Sequence, residues 1–277
     1  MKTLTFKVSR QDKDRSLLDF LVGKLNVSRR QAKRHLDTRS VLVNKRRVWM
    51  AHHTLNAGDD VQVLITASER RTEGRIEILF EDEYFLVADK PAGVLSNGPE
   101  SIEETLAAQT ANADIAAAHR LDRDTSGCLL FAKRPDSLEL ADRLIRDAKV
   151  QKVYHAIVAG MLRTDSTRIA RPLDGQHALT LVRTLDANPE ASHLAVRIET
   201  GRTHQIRKHL ASLHHPVLGD RQYGGAVLAN ERFLQVPRQM LHATSLEFVH
   251  PVTGQVRRVE SALPRDFRSC LRAFRLT

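Results

Sequence analysis

One nine-residue string constrains this chain more than any other feature: His119-Arg120-Leu121-Asp122-Arg123-Asp124-Thr125-Ser126-Gly127. It follows the small-residue run Ala116-Ala117-Ala118 and leads straight into apolar Cys128-Leu129-Leu130-Phe131-Ala132, which reads as a buried strand. His119, Arg120, Asp122 and Arg123 crowd its start, and Asp124-Thr125-Ser126-Gly127 has turn chemistry. Charge packed this densely against a core strand is unfavourable unless the groups pair or take part in chemistry. The fold must therefore present a polar loop at the entrance of a core strand.

The chain has room for that core. Its 277 residues are 42% hydrophobic, enough for a small domain plus a large one. Lys and Arg number 43 against 33 Asp and Glu, and the net charge of +10 suits a polyanionic partner such as nucleic acid. The two cysteines, Cys128 and Cys270, have no C-x-x-C partner, so no zinc or redox motif is readable and a reduced, cytoplasmic setting is expected. Met1-Lys2-Thr3-Leu4-Thr5-Phe6-Lys7 carries no long apolar run, so no signal peptide is expected. No apolar stretch approaches the ~20 residues that span a bilayer, so no membrane association is expected.

The first sixty-six residues read as a unit of their own. Phe6 and Val8 alternate with polar residues as in a short strand, and Leu17, Leu18, Leu21, Val22 and Leu25 share one helical face. Ser28-Arg29-Arg30-Gln31 matches a capping box at the start of a second helix. That helix carries Arg29, Arg30, Lys33 and Arg34, like charges at a spacing that repels slightly and that phosphates would offset. Val41-Leu42-Val43-Asn44, a turn at Lys45-Arg46, and a last strand from Val61 follow. Two short helices and a basic hairpin in this order resemble the S-four-like RNA-binding domain, named after a small-subunit ribosomal protein. The resemblance rests on Ser28 to Leu36, Val41 to Asn44 and Gly58-Asp59-Asp60-Val61, and it places Arg29, Arg30, Lys33, Arg34 and Lys45 on an RNA face. The chain departs at Lys45, where that family commonly has Gly.

Residues 67–75 are polar and small, a linker, and residues 76–277 form the larger domain. It opens with strand patterns at Ile76 to Phe80 and Tyr84 to Ala88, ended by Asp89-Lys90-Pro91-Ala92-Gly93. Lys90 is expected to brace this bend or to contact RNA. Ile102 to Ala117 reads as a helix, Asp136 as the cap of another, and Leu194, Val196 and Ile198 as one face of a strand. A strand from Ser245 to Val249 and a C-terminal helix opened by Pro264 follow. His209, His214 and His215 lack the spacing of a metal site, and none is expected.

Three separated strings then stand out in order. They are the His119 to Gly127 string, Lys152-Val153-Tyr154-His155-Ala156, and Gly201-Arg202-Thr203-His204-Gln205-Ile206-Arg207. Together with Lys90-Pro91-Ala92-Gly93 and Leu241-His242-Ala243 they resemble the RluA-type pseudouridine synthases, which isomerise uridine in RNA. The resemblance implies an α+β domain with an extended, mainly antiparallel sheet and a catalytic cleft. It makes Asp122 the catalytic carboxylate, a choice over Asp124 that spacing alone leaves open. It puts Tyr154 over the target uracil, pairs Arg207 with Asp122, and lines the uracil pocket with Leu241. Arg120 would reach into the RNA when the nucleotide flips out, as a base inside a helix is unreachable. Arg123, Arg202 and His204 are expected phosphate contacts, with a local salt bridge at Arg123 or a helix cap at Arg202 and His204 as the alternatives. The reaction needs no redox equivalent, phosphate donor or obligatory metal, so no cofactor is expected. A large structured RNA such as ribosomal RNA is the favoured partner, transfer RNA the alternative, and a monomer the default. Two other classes remain as alternatives. A non-catalytic RNA-binding or ribosome-assembly factor would be expected to lack Asp122, Tyr154 or Arg207, and a base-releasing glycosidase would need a second carboxylate to activate water.

Overall fold

The apolar run behind the charged string is buried along its whole length, as strand Ser126–Ala132. It lies at the centre of the larger of two units, Met1–Gly74 and Arg75–Thr277, in this computed structural model. The structure describes residues 2–25, 27, 29–37, 40–65 and 75–277, without the side chains of Lys2, Arg30, Gln31, Arg34, Asp37 and Ile65. Ser28 and most of the expected linker lie outside the described residues.

In the first unit, strand β1 (Lys2–Lys7) is followed by helices α1 (Leu17–Leu25) and α2 (Arg29–Asp37) and strands β2 (Val41–Val43), β3 (Arg46–Arg47) and β4 (Asp60–Ile65). The strands form one antiparallel sheet in the order β1-β4-β2-β3. Ser16 caps α1, its Oγ accepting from the Asp19 amide at 3.1 Å. Leu17, Phe20 and Leu21 of α1 and Ala32 and Leu36 of α2 pack on Val41, Val43, Val61 and Val63. The hairpin turn falls at Asn44-Lys45, one residue before the expected Lys45-Arg46. Both turn residues are left-handed, with φ of +50° and +65°, the geometry of a two-residue connection that matches strand twist. Lys45 adopts it without the usual glycine. Arg29 is exposed and ion-paired with Asp19, so part of the basic charge of α2 is offset within the protein.

The larger unit contains β5 (Ile78–Glu81), β6 (Phe85–Lys90), α3 (Ile102–Thr110), β7 (Ala116–Ala117), β8 (Ser126–Ala132) and α4 (Pro135–Arg146). Then come β9 (Val150–Ala159), β10 (Thr167–Ile169), β11 (Thr180–Ala187), β12 (Ala191–Ile198), α5 (Gln205–Ser212), α6 (Glu231–Leu234), β13 (Leu241–Val249), β14 (Val256–Glu260) and α7 (Arg265–Ala273). Eight of the strands run β10-β11-β12-β9-β13-β8-β6-β5, with β14 on β13 and β7 on β8. Every pairing is antiparallel except β13 with β8. The expected α+β architecture with a mainly antiparallel sheet is the one observed.

Side-chain alternation divides the core. Leu129, Phe131, Tyr154, Ala156, Leu194 and Val196 join Ile102 and Leu106 of α3 and Ile206 and Leu210 of α5. Behind the sheet, α4 packs Ala141 and Leu144 on Phe85, Leu130 and Phe248, and α7 packs Phe267, Cys270 and Leu271 on Ile157 and Met240. The helix expected over Ile102 to Ala117 ends at Thr110, because Ala111 turns left-handed at φ +52° and its N–H closes the helix on Ala107. Likewise α4 starts at Pro135, whose fixed φ suits the first helical position, rather than from a cap at Asp136. No helix among the described residues is long and apolar enough to cross a membrane.

Candidate active site

The loop from His119 to Thr125 is held largely through its backbone, with Leu121 and Thr125 buried and Asp122 partly exposed. Leu121 is bonded both ways by Ser96, whose Oγ donates to the Leu121 carbonyl and accepts from its amide, each at 2.9 Å. The Arg123 carbonyl accepts from the Gly93 amide at 2.7 Å and from Lys90 Nζ at 3.0 Å. The Asp124 carbonyl accepts from Arg238 Nη1 at 3.1 Å. Asp122 is thus fixed on both sides, and a turn closes behind it where the Thr125 amide donates to its carbonyl at 3.1 Å.

Gly127 makes this placement possible. Its φ is +110°, and a Cβ there would lie 2.1 Å from the Ala243 carbonyl oxygen. Only a residue without a side chain lets β8 run this close to β13. The parallel pairing His242↔Ser126 and Ala243↔Gly127 then sets the starts of both strands at one end of the sheet. The Asp122 loop and Leu241 meet there, and Tyr154 lies opposite Ala243 on the neighbouring strand β9.

Asp122 and Arg207, 85 residues apart in sequence, are bonded: Arg207 Nη1 donates to Asp122 Oδ2 at 2.9 Å. Arg207 also donates to Asp220, from Nε at 2.6 Å and Nη2 at 2.9 Å. The Arg207 and Asp220 side chains are 8% and 1% exposed, whereas Asp122 is 22% exposed. The buried end of the array is a two-bond fork, and the exposed end is a single bond to a partly exposed carboxylate. Burial works against charge on Arg207, but its bonds to Asp220 and Asp122 outweigh this and hold the guanidinium pKa above its ordinary value. Burial likewise opposes charge on Asp220, and the bonds from Arg207 and from the Gln222 and Tyr223 amides reverse it, keeping the carboxyl below its usual range. Tyr223 completes the support, its ring 5.0 Å under the Arg207 guanidinium and its hydroxyl 2.9 Å from His204 Nδ1. His204 Nε2 stands 3.7 Å from the other oxygen of Asp122. Burial lowers the His204 pKa despite the nearby Asp122, so the imidazole is neutral at pH 7.

Tyr154 is 5% exposed, and burial, then the charge of Asp122, raises its phenol pKa. It is a neutral ring beside the carboxylate. Leu241 is 4% exposed on the same face. His119 packs against β8, its Nε2 accepting from the Leu130 amide at 3.3 Å, and burial drives its pKa down to about 3. Asp124 pairs with exposed Arg123 at 3.1 Å, so the local salt bridge expected for Arg123 is present. Arg120 and Arg202 are exposed, and Arg202 Nε donates to the His177 carbonyl at 3.0 Å. His204 is the left-handed residue before α5 but makes no side-chain cap; Gln205 Oε1 accepts from the Arg202 amide instead, at 3.1 Å.

Lys90 lies in the interior, away from any solvent-facing surface. It is fully buried, and its Nζ donates to the carbonyls of Pro91, Val94 and Arg123 at 2.9, 2.7 and 3.0 Å. Three donors meet three acceptors, so the side chain braces the loop. In the smaller unit Arg29, Lys33 and Lys45 are exposed, while the side chains of Arg30 and Arg34 are outside the description. Asp220, Tyr223, Ser96 and Arg238 were not anticipated as site residues. Arg238 is 9% exposed, forks onto Asp266 of α7 at 2.7 and 3.1 Å, and so ties the loop to the back of the sheet.

The model of the family described as RNA pseudouridylate synthase matches residues 84–212. An uncharacterised RNA pseudouridine synthase of Bacillus subtilis is 32% identical over 268 residues, covering 82% of this chain and 87% of its own length. The chain belongs to the RNA pseudouridylate synthase family. The ribosomal large subunit pseudouridine synthase D of Nitrosomonas europaea is 34% identical, covering 83% of this chain and 74% of the relative. The synthase C of Buchnera aphidicola is 31% identical, with 91% of each chain covered. Among solved structures, human RNA pseudouridylate synthase domain containing 4 shares the fold, with a TM-score of 0.64 at 22% identity over 76% of this chain and 96% of that one. As a pseudouridylate synthase, the chain is the RNA-acting isomerase that its three strings led one to expect.

Proposed function

We propose that this pseudouridylate synthase converts specific uridines of a structured RNA, ribosomal RNA foremost, to pseudouridine, with Asp122 as its catalytic carboxylate and no cofactor. The observation that carries the assignment is the division of Arg207 between two carboxylates of different exposure. Asp220 takes two of its bonds in the interior, so Arg207 needs only one oxygen of Asp122. Oδ2 is held and oriented, while Oδ1 faces only a neutral His204 at 3.7 Å and is left for chemistry. An ionised oxygen in a fixed position serves either route, attack on the anomeric carbon or abstraction of a sugar proton. Tyr154 and Leu241 form the apolar floor on which a flipped uracil rests while its glycosidic bond breaks and the ring turns. Burial of Tyr154 and its raised pKa support ring contact rather than proton removal. Exposed Arg120, Arg123 and Arg202 border the loop and α5 and supply phosphate contacts and the group that follows the flipping nucleotide. The large-subunit relatives named for ribosomal RNA modification favour that substrate over transfer RNA.

The test is to incubate the purified chain, without cofactor, with total RNA from a strain lacking its gene, and to map pseudouridines chemically. A new pseudouridine at a defined position, absent with Asp122→Asn, is the expected result. RNA binding without any new site, even on ribosomal precursors and transfer RNA, would remove the catalytic reading and leave a binding factor.

A further inference from the structure

Rejoining the base through a ring carbon releases a proton that needs an acceptor. When the detached uracil bonds the sugar through C5, that carbon carries both the sugar and its hydrogen, and N1 is double-bonded to C6. The C5–H bond must then break, and a group within hydrogen-bond reach must take the proton. Tyr154 is poorly suited, because its buried phenol stays protonated. Lys90 and Arg207 act here only as donors. A carboxylate is a weaker base than an imidazole. His204 is an imidazole, and burial keeps it neutral against the pull of Asp122. Its side chain is 25% exposed, so the ring is reachable from solvent. Nδ1 lies 2.9 Å from the Tyr223 hydroxyl. Nε2 lies 3.7 Å from Asp122 Oδ1, too far for a hydrogen bond. A proton on Nε2 would draw a carboxylate this close into contact, whereas a lone pair leaves the gap.

We propose that His204 is the base that takes the C5 proton, its Nδ1–H donated to the Tyr223 hydroxyl oxygen so that the Nε2 lone pair faces the reacting atoms. The C5–H proton moves to Nε2. The electron pair it leaves forms C5=C6, the N1=C6 pair withdraws to N1, and N1 takes a proton from water. The imidazolium then stands beside Asp122 Oδ1, which on either route is a free carboxylate again once C5 has bonded the sugar. Their opposite charges stabilise the transferred proton until His204 returns it to water, balancing the one taken at N1. Tyr223 is a positioning residue that selects the ring tautomer. The proposal rests on uridine isomerisation at Asp122 and assigns the step that follows rejoining.

The test uses the full chain in single turnover, on RNA carrying hydrogen or deuterium at C5 of the target uridine. His204→Gly is the informative variant, because the residue has φ of +56° and glycine adopts that geometry without strain. Its kcat should fall about 10²–10⁴-fold with KM little changed. Deuterium at C5 should slow it further, and added imidazole should restore part of the rate. Tyr223→Phe keeps the ring under Arg207 and loses the hydroxyl. It should cost about 2- to 12-fold in kcat, the worth of one neutral hydrogen bond, and nothing more when combined with His204→Gly. A parent-like kcat in His204→Gly would overturn the proposal. So would a slow variant that is indifferent to C5 deuterium and to imidazole, since its loss would be structural. A raised KM at unchanged kcat would return His204 to phosphate binding and overturn it too. Each of these outcomes leaves an active parent and the isomerase reading intact. A parent inactive on every RNA removes that reading, and the role of His204 with it.

Discussion

Asp220 touches no expected position of the reacting nucleotide, yet its replacement should disable the site. Asp220→Asn keeps the shape of the side chain and removes its charge. Two charge-assisted bonds, at 2.6 and 2.9 Å between groups 1% and 8% exposed, become one acceptor and one misplaced amide donor against the guanidinium. Breaking a buried pair typically costs 3–5 kcal/mol, and because Arg207 keeps Asp122 as a partner the loss should lie near the low end, about 3 kcal/mol. In a unit of this size that lowers Tm by about 6–12 °C. The freed nitrogens of Arg207 then turn toward the remaining carboxylate and engage both oxygens of Asp122. A bond to a charged group is worth about 1.5–3 kcal/mol, and it must now be broken before Oδ1 can react, so kcat should fall about 10- to 100-fold with KM little changed. Urea unfolding and single-turnover pseudouridine formation, at a temperature where the variant is folded, read the two effects. Stability within about 0.5 kcal/mol of the parent together with an unchanged kcat would refute the divided-arginine reasoning. A raised KM at unchanged kcat would instead make Asp220 a binding residue.

Gly127→Ala should be among the most damaging single changes, about 4 kcal/mol or more, since its Cβ would lie 2.1 Å from a backbone oxygen that cannot move without parting β8 from β13. Gly98→Ala, at φ +84° with nothing within 4 Å, is the internal control and should cost only the conformational strain, about 1–2 kcal/mol; equal losses in urea unfolding would refute the packing argument. Stability should also fall in acid. Burial first, with the charge of Arg238, lowers the pKa of fully buried His242 to about 4. The unfolded chain therefore takes up a proton near pH 6.5 that the folded chain refuses, so this contribution is complete above about pH 6.5 and is lost as the pH falls toward 4, about 3 kcal/mol at most. His242→Gln should flatten that limb in a stability–pH series, and an unchanged limb would rule His242 out as its source.

Much of this site was legible because its parts announce themselves as ordered strings. Asp122, Tyr154 and Arg207 each sit in a local pattern, and the structure brings the first and last to 2.9 Å. Their supports carry no such mark. Asp220 is a Gly-Asp in a loop, and its partner Arg207 is defined only when the chain returns from α5. Tyr223 and Arg238 are single residues between elements, with no periodicity to place them. Lys90 was legible only as a choice between bracing the bend and contacting RNA. A lysine next to Pro and Gly is normally solvated, and only the convergence of three carbonyls makes its burial tolerable. Helix ends were misplaced where one residue's φ decided them, at Ala111 and Pro135, because composition says little about a left-handed closing residue in an Ala-rich run.

The lone parallel pairing in the sheet is what turns these strings into a site. In an all-antiparallel arrangement, the loop before β8 and the start of β13 would lie at opposite ends of the sheet. Parallel contact between Ser126-Gly127 and His242-Ala243 puts Asp122 and Leu241 at the same end, and antiparallel β9 delivers Tyr154 beside them. The pairing is short and depends on Gly127, so it needs outside support. Ser126 Oγ bonds His242 Nδ1 at 2.9 Å, Gln239 bonds Thr125 at 2.7 Å, and Arg238 spans from Asp266 to the Asp124 carbonyl. None of these contacts uses the Asp122 carboxylate, which keeps its bond to Arg207. The same residues that close the fold at its weakest strand pair therefore fix the carboxylate, so damage to either is expected to appear in both stability and turnover.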